Sequence, residues 1–233
     1  MAIYTAQDNA STSRNDSEAH CIWYGECNKK GLTKQNCPYD GPPKLLNNSD
    51  AIHTLSSWCP HLVPDLNSAV STCCDVNQIT TFSTNIELAA SLLKRCPSCM
   101  MNLAKHLCDF TCGPKQSNYM EVVSVKNNSN GQSYIDEVNL YITNDYLNGT
   151  FSSCKQVSVP SGGSLALDLM CGLWGAAKCS PMRWFSYMGD ANNPFVPFQI
   201  NYKNVSGPVN HTDHTFEPLN PQVTPCSQPF DVS

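Results

Sequence analysis

Fourteen cysteines dominate the chemistry-bearing residues of this 233-residue chain. Cys96-Pro97-Ser98-Cys99 is a CxxC, a spacing that serves either a redox dithiol or half of a zinc site. A redox dithiol needs a strand running into the motif, whereas the residues before Cys96 have helical periodicity. Zinc needs a second close pair, which Cys108 and Cys112 could supply. The vicinal Cys73 and Cys74 are expected to tie down different neighbours, because adjacent residues close a strained ring. His211 and His214 stand at i, i+3, but beside a sequon in a proline-rich tail, so a solvated segment is expected there rather than a metal site. Asp136 and Glu137 are adjacent and point apart in either regular structure. The sequence has no GxSxG, HExxH, Walker A or strand-borne GxGxxG motif. Nothing in the pattern argues for an enzyme, and no cofactor or metal is expected.

An even number of cysteines suits an oxidising compartment, where structural disulfides are their expected use. Seven N-x-[ST] acceptors, at Asn9, Asn15, Asn47, Asn127, Asn148, Asn204 and Asn210, point to the same luminal or extracellular setting. Lys and Arg number 14 against 19 Asp and Glu, leaving a net charge of −5 and no cationic surplus for a phosphate backbone, so nucleic acid is excluded as a partner. The first 20 residues hold no apolar run of signal-peptide type, and no run of membrane-spanning length occurs. A soluble piece is expected. A chain of this length can bury roughly 70–75% of its unfolded surface, so it needs no cross-links merely to form a core.

Residues 1–20 read as a flexible leader, and order is expected from Cys21. Cys21 to Cys37 reads as a stapled loop ended by Gly41-Pro42-Pro43. Capping-box spacing at Thr84 and Glu87 predicts a helix starting there, with Leu88, Leu92 and Leu93 on its apolar face and Cys96-Pro97 at its end. A second helix is predicted from Ser98 to about Phe110, with Met100, Leu103, Ala104 and Leu107 in its stripe. Tyr119–Lys126 and Tyr134–Tyr146 read as strands around a polar turn. Residues 165–189 read as helical with a glycine-rich break, and Phe198–Tyr202 as a last strand. Residues 203–233 read as an extended, proline-rich extension leading to a transmembrane region outside this chain. Low charge with many Leu, Met and Phe suits an apolar ligand cavity, although simple core packing gives the same stripes.

Five blocks in register carry a family resemblance: Cys21-Ile-Trp-Tyr-Gly-Glu-Cys27, Asn36-Cys-Pro-Tyr-Asp-Gly-Pro-Pro43, Cys73-Cys-Asp-Val-Asn-Gln78, Arg95-Cys-Pro-Ser-Cys99 and Cys112-Gly-Pro-Lys-Gln-Ser117. Together they resemble the N-terminal luminal sterol-binding domain of the Niemann-Pick type C (type 1) transporter family, over residues 21–202. The resemblance implies an α+β fold, a disulfide-rich mixed helical domain with a small β-sheet enclosing a deep apolar pocket. It also implies cholesterol or a related sterol as ligand, with the 3β-hydroxyl innermost. Asn36 and Gln78 match the amides that hold that hydroxyl, and Trp23 and Glu26 match positions beside it. An amide offers donor and acceptor together, so it can satisfy a neutral hydroxyl without burying a charge.

The resemblance further implies a pocket and mouth formed by Phe82, Met100, Leu103, Leu107, Phe110, Leu169, Met170, Pro197, Phe198 and Ile200. Ser180, Met182 and Tyr187 fall on the transfer surface. The loop from Cys171 to Cys179 is one residue longer than the family pattern and contains Trp174. The implied disulfides are Cys21–Cys73, Cys27–Cys37, Cys59–Cys108, Cys74–Cys112, Cys96–Cys226, Cys99–Cys154 and Cys171–Cys179. The implied partners are a soluble luminal carrier of the Niemann-Pick type C (type 2) family and the membrane domains of the full-length chain. The implied location is the luminal face of a late endosomal or lysosomal membrane, or the outer face of a gut-cell membrane. Two other readings stay open: a secreted folate- or riboflavin-type vitamin carrier, and an interaction domain without ligand whose central helices would pack without a cavity.

Overall fold

The computed structural model describes residues 19–226 apart from 161 and 213. The sequons Asn9 and Asn15 and the expected leader, except for its last two residues, lie outside the described part. An α+β architecture is seen, with helices and several small sheets tied by seven disulfides among the described residues: Cys21–Cys73, Cys27–Cys37, Cys59–Cys108, Cys74–Cys112, Cys96–Cys226, Cys99–Cys154 and Cys171–Cys179.

Cys21 to Cys37 forms strands, not the expected loop: β1 (Cys21–Lys30) and β2 (Thr33–Gly41) make an antiparallel hairpin. Gly31 turns it at φ 57°, in the left-handed region that glycine enters freely. The register slips between Trp23 and Glu26, and Gly25 stands in this bulge at φ 82°. Short strands β3 (Lys44–Leu46) and β4 (Val70–Thr72) form a second pair. Between them lies an unanticipated helix, α1 (Ser49–Trp58), whose N-cap Asn48 accepts a hydrogen bond from the Ala51 amide at 2.9 Å.

Helix α2 (Val76–Leu93) starts two turns earlier than Thr84. Asp75 and Gln78 form the actual capping box, while the Thr84 hydroxyl donates to the Thr80 carbonyl within the helix. Its buried face carries Gln78, Ile79, Phe82, Ile86 and Leu93, whereas Leu88, expected on the apolar face, is exposed. Helix α3 (Pro97–Cys112) follows at once, with Cys96 as N-cap and Pro97 in its first turn. Just past its C-terminus, buried Gln116 accepts from the Ile22 amide and donates to the Phe110 carbonyl, fastening the hairpin to α3.

The main sheet has three strands, β5 (Met120–Asn127), β6 (Ser133–Thr143) and β7 (Gln199–Val205), with β6 central. β5 and β6 are antiparallel. β6 ends at Thr143 because that side chain caps helix α4 (Asn144–Cys154), so the predicted strand through Tyr146 is cut short. β7 is parallel to β6 and needs a long crossover. The crossover holds α4, then α5 (Ala166–Met170), α6 (Gly175–Lys178) and α7 (Pro181–Gly189).

The tail differs from the extended linker expected. β8 (Val209–Asn210) and β9 (Thr215–Phe216) pair, and Leu219 bonds back to Tyr141 and Thr143 on β6. Thr224 exchanges hydrogen bonds with Asn102 of α3, and Cys226 closes on Cys96. His211 and His214 both pack edge-on against Phe216; His211 is solvent-exposed as expected, whereas His214 is half-buried. The five sequon asparagines in the described part, Asn47, Asn127, Asn148, Asn204 and Asn210, are exposed. Among the described residues no helix is long and apolar enough to cross a membrane.

Candidate functional site

Gln78 is a buried amide whose side chain is held from one end only. Its Oε1 accepts from the Gly25 amide at 2.7 Å and from the Asp75 amide at 3.0 Å. Two donors on one atom fix the orientation of the amide, since a flipped group would set N–H against N–H. The bulge at Gly25 and the capping box of α2 therefore combine to aim Nε2 the other way. That nitrogen is buried without a hydrogen-bond partner, and Gln78 is among the residues lining a cavity of about 270 Å³. An unpaired buried donor costs about 1–3 kcal/mol, a cost that an acceptor brought within its reach would offset.

Glu26 and Asn36 line the same cavity and face each other across the hairpin. Glu26 accepts from the Thr81 hydroxyl at 2.6 Å and pairs with Lys34 at 2.6 Å. Thr81 is also in the wall. The rest of the wall is mainly apolar. From Gln78, the positions i+4, i+8 and i+11 of α2 contribute Phe82, Ile86 and Ala89, and α3 contributes Leu103, Leu107 and Phe110. Pro197, Phe198 and Ile200 close the opposite side. Gln35 holds that side in place: its Nε2 donates to the Pro197 carbonyl at 2.9 Å. Met170, Met188 and Phe195 also line the cavity, and Phe195 is 56% exposed, which marks an opening. Unbranched methionines there can change rotamer at little cost. The volume lies just below the roughly 300–1,000 Å³ usual for drug-sized ligands, so such wall movement matters.

Other expected site residues fall outside the lining. Trp23 is wholly buried behind it, its ring 4.9 Å from Phe110 and 5.7 Å from Phe198, so it supports the wall without forming it. Met100 shares the stripe of Leu103 but lies one turn earlier, buried in the core away from the cavity. Leu169 is 59% exposed beside Met170. Ser180 caps α7 by accepting from the Arg183 amide, Met182 is exposed, and the Tyr187 ring packs on Gly172. Thr33, Asn85, Met188, Asn193 and Tyr202 line the cavity without having been anticipated. Thr81 and Asn85 would have followed from Gln78 at i+3 and i+7, had α2 been started at Asp75.

Tyr202 leads into a buried polar chain. Its hydroxyl is 3.4 Å from His106 Nε2, and His106 Nδ1 is 3.4 Å from the Tyr146 hydroxyl. The Tyr146 proton goes to the Asn102 carbonyl, so Nδ1 of His106 must carry the donor proton and Nε2 must accept from Tyr202. Burial holds the His106 imidazole neutral, with its pKa pushed down to about 3. A depressed histidine value means that the unfolded chain binds the proton first. The stability it protects is complete above pH 6.5 and is lost as pH falls from there towards 3. Between pH 7 and pH 5 the loss from this group is about 2 kcal/mol. Denaturant titrations at both pH values should show that loss in the wild type and a flatter response in His106→Leu. Equal pH slopes in the two proteins would assign the acid sensitivity elsewhere.

A disulfide-braced α+β domain with a cavity, apolar along its walls and polar at the Gln78 end, is the class of protein defined by this geometry. Residues 18–233 match the family described as Niemann-Pick C1 N terminus. The chain is 33% identical over 217 residues to the NPC intracellular cholesterol transporter 1 of Sus scrofa, covering 91% of this chain and 16% of that protein. It is 30% identical over 196 residues to the NPC intracellular cholesterol transporter 1 homolog 1b of Drosophila melanogaster, covering 82% and 16%. It is 28% identical over 218 residues to the NPC1-like intracellular cholesterol transporter 1 of Homo sapiens, covering 90% and 16%. The chain belongs to the Niemann-Pick C1 N-terminus family, and it spans about a sixth of the length of these relatives.

Proposed function

We propose that this domain binds a cholesterol-like sterol and passes it on without making or breaking a covalent bond. The observation that carries the reading is a largely apolar cavity whose lining includes Gln78, a buried amide with an unpartnered Nε2. A sterol offers one hydroxyl on a rigid hydrocarbon frame, which suits one aimed donor and apolar walls. In this reading Gln78 donates to the 3β-hydroxyl oxygen, the Asn36 amide oxygen accepts the hydroxyl's hydrogen bond, and Glu26 and Thr81 hold the surrounding hydrogen bonds. The hydrocarbon tail then points towards Met170 and Phe195. About −0.3 kcal/mol per heavy atom over roughly 28 atoms gives on the order of −8 kcal/mol, a micromolar or tighter site.

Sterol arrives from a soluble luminal carrier of the type 2 family, meeting the domain around Leu169, Ser180, Met182 and Tyr187. It leaves towards the membrane domains of the longer protein. The setting is the lumen of late endosomes or lysosomes, with glycans on exposed sequons, and a gut-cell surface is the alternative. The vitamin-carrier reading is not favoured by the family match, and a cavity between α2 and α3 argues against helices packed without a ligand site.

The test is direct binding of a sterol panel differing only at carbon 3. The 3β-alcohol should bind at least about 5-fold more tightly than its 3α-epimer or the 3-ketone, the lower end of what a misplaced or missing hydrogen bond costs. Equal binding by the epimers would undo the hydroxyl assignment.

A further inference from the structure

The walls of the cavity are unequally braced. Helix α3 is cross-linked along its length, with Cys96 at its N-cap joined to Cys226, and Cys99, Cys108 and Cys112 joined to Cys154, Cys59 and Cys74. The β1–β2 hairpin is held by Cys21–Cys73 and Cys27–Cys37. The side that runs from Asn193 to Phe198 has no such anchor, since no cysteine lies between Cys179 and Cys226. Among the described residues two side-chain hydrogen bonds tie that segment to the hairpin. Lys30 Nζ donates to the Ala191 carbonyl at 2.7 Å in an exposed position, where water can take its place. Gln35 Nε2 donates to the Pro197 carbonyl at 2.9 Å, and Gln35 is only 3% exposed. Its Oε1 accepts from Asn28 Nδ2 at 2.6 Å. A flipped amide would set oxygen against oxygen at Pro197 and nitrogen against nitrogen at Asn28, so the donor is aimed at Pro197 from both ends.

We propose that Gln35 is a positioning residue: its bond to the Pro197 carbonyl holds the Pro197-Phe198 wall shut and sets the rate at which ligand enters and leaves. Gln35 is not in the cavity lining, so it acts through Pro197 and not on the ligand. The cavity, at about 270 Å³, is smaller than the range usual for a drug-sized ligand, so a wall has to yield on occupancy. Cross-links hold α3 and the hairpin, which leaves the 193–198 side as the one that yields. Moving it breaks the hydrogen bond of a buried amide, the kind whose loss costs most. That bond is present in the closed wall with or without ligand and absent in the open one. It therefore raises the barrier in both directions and leaves the binding equilibrium where it was. The consequence for sterol exchange rests on the ligand proposed above, whereas the latch concerns the wall alone.

Association and dissociation of fluorescent cholesterol should be followed by stopped flow in the 233-residue chain and its variants. In Gln35→Glu the bond from Asn28 stays, but an ionised carboxylate has no proton for the Pro197 carbonyl. At about pH 8 both rates should rise about 5- to 10-fold, with Kd within about 2-fold of the wild type. At about pH 4.5 a buried carboxyl is protonated, its hydroxyl donates to Pro197, and the rates should return to those of the wild type. The wild-type amide does not titrate and supplies the baseline at each pH. Gln35→Leu supports neither bond and should exchange fast at both. Asn28→Ala removes the other bond of Gln35, so it should lower thermal stability while leaving the rates near those of the wild type. Unchanged rates in both Gln35 variants, or fast exchange by Gln35→Glu at both pH values, overturn the proposal. So does an Asn28→Ala variant as fast as Gln35→Leu, which would reduce the effect to general loosening. Hydrogen exchange over residues 190–198 of the ligand-free chain reads the latch without sterol and should quicken about 5- to 10-fold in Gln35→Leu. Quickened hydrogen exchange in a chain that binds no sterol would keep the latch and sink the sterol reading. Unaltered hydrogen exchange would sink the latch whatever the ligand.

Discussion

Gln78→Ala should weaken sterol binding by about 5- to 150-fold, the equivalent of one buried hydrogen bond left unmade. The same substitution removes the acceptor that holds the Gly25 and Asp75 amides, so it should also cost about 1–2 kcal/mol of stability. Asp75→Ala separates the two effects. It breaks the capping box from the other side, because the Asp75 carboxylate accepts from the Gln78 amide, and it leaves the Gln78 side-chain donor in place. Comparable destabilisation with near-normal sterol affinity is expected of Asp75→Ala. Wild-type affinity in Gln78→Ala would remove Gln78 from the site, whatever its effect on the helix.

Loss of the Cys96–Cys226 disulfide should be the largest single stability change. It links residues 130 apart in sequence, whereas Cys171–Cys179 spans 8. Chain-entropy reasoning gives about 5 kcal/mol for the long loop and about 2.5 kcal/mol for the short one. The double variant Cys96→Ala, Cys226→Ala should therefore unfold roughly 10–15 °C lower in calorimetry, with sterol affinity measured in the cold little altered. A shift of only a few degrees would mean that the noncovalent ties suffice. These are the Asn102–Thr224 hydrogen bonds, the Lys105 contact to the Gln222 carbonyl and the Thr143–Asn220 bond.

The readability of the sequence followed the range of each interaction. The α3 stripe was legible because its period is local, and β5 and β6 because a polar turn divides two runs of Val, Ile and Tyr. The start of α2 was misplaced because two candidate capping boxes lie nine residues apart. Asp75-to-Gln78 wins because Cys73 and Cys74 are pinned to Cys21 and Cys112, which fixes where the chain can begin to coil. The hairpin was hidden for a similar reason: its register slips three times, so strict alternation is absent from β1. The tail looked like a linker because prolines and short polar residues dominate it. Its fastening uses single contacts at Leu219, Thr224 and Cys226 that no local pattern announces.

Gln78 itself was legible only through the family blocks. Composition and periodicity say nothing of an amide with one end saturated and the other bare. The His106–Tyr202 chain was invisible for the same kind of reason, since it joins residues 96 positions apart.

The covalent joint between Cys226 and Cys96, the N-cap of α3, also defines a path for mechanical load. Tension applied at the C-terminal end of the described chain does not dissipate in a slack tether. It enters through the disulfide and the Asn102–Thr224 bonds into a helix whose Leu103, Leu107 and Phe110 form one wall of the cavity. A pull or a twist at residue 226 is thus delivered to the wall of the cavity.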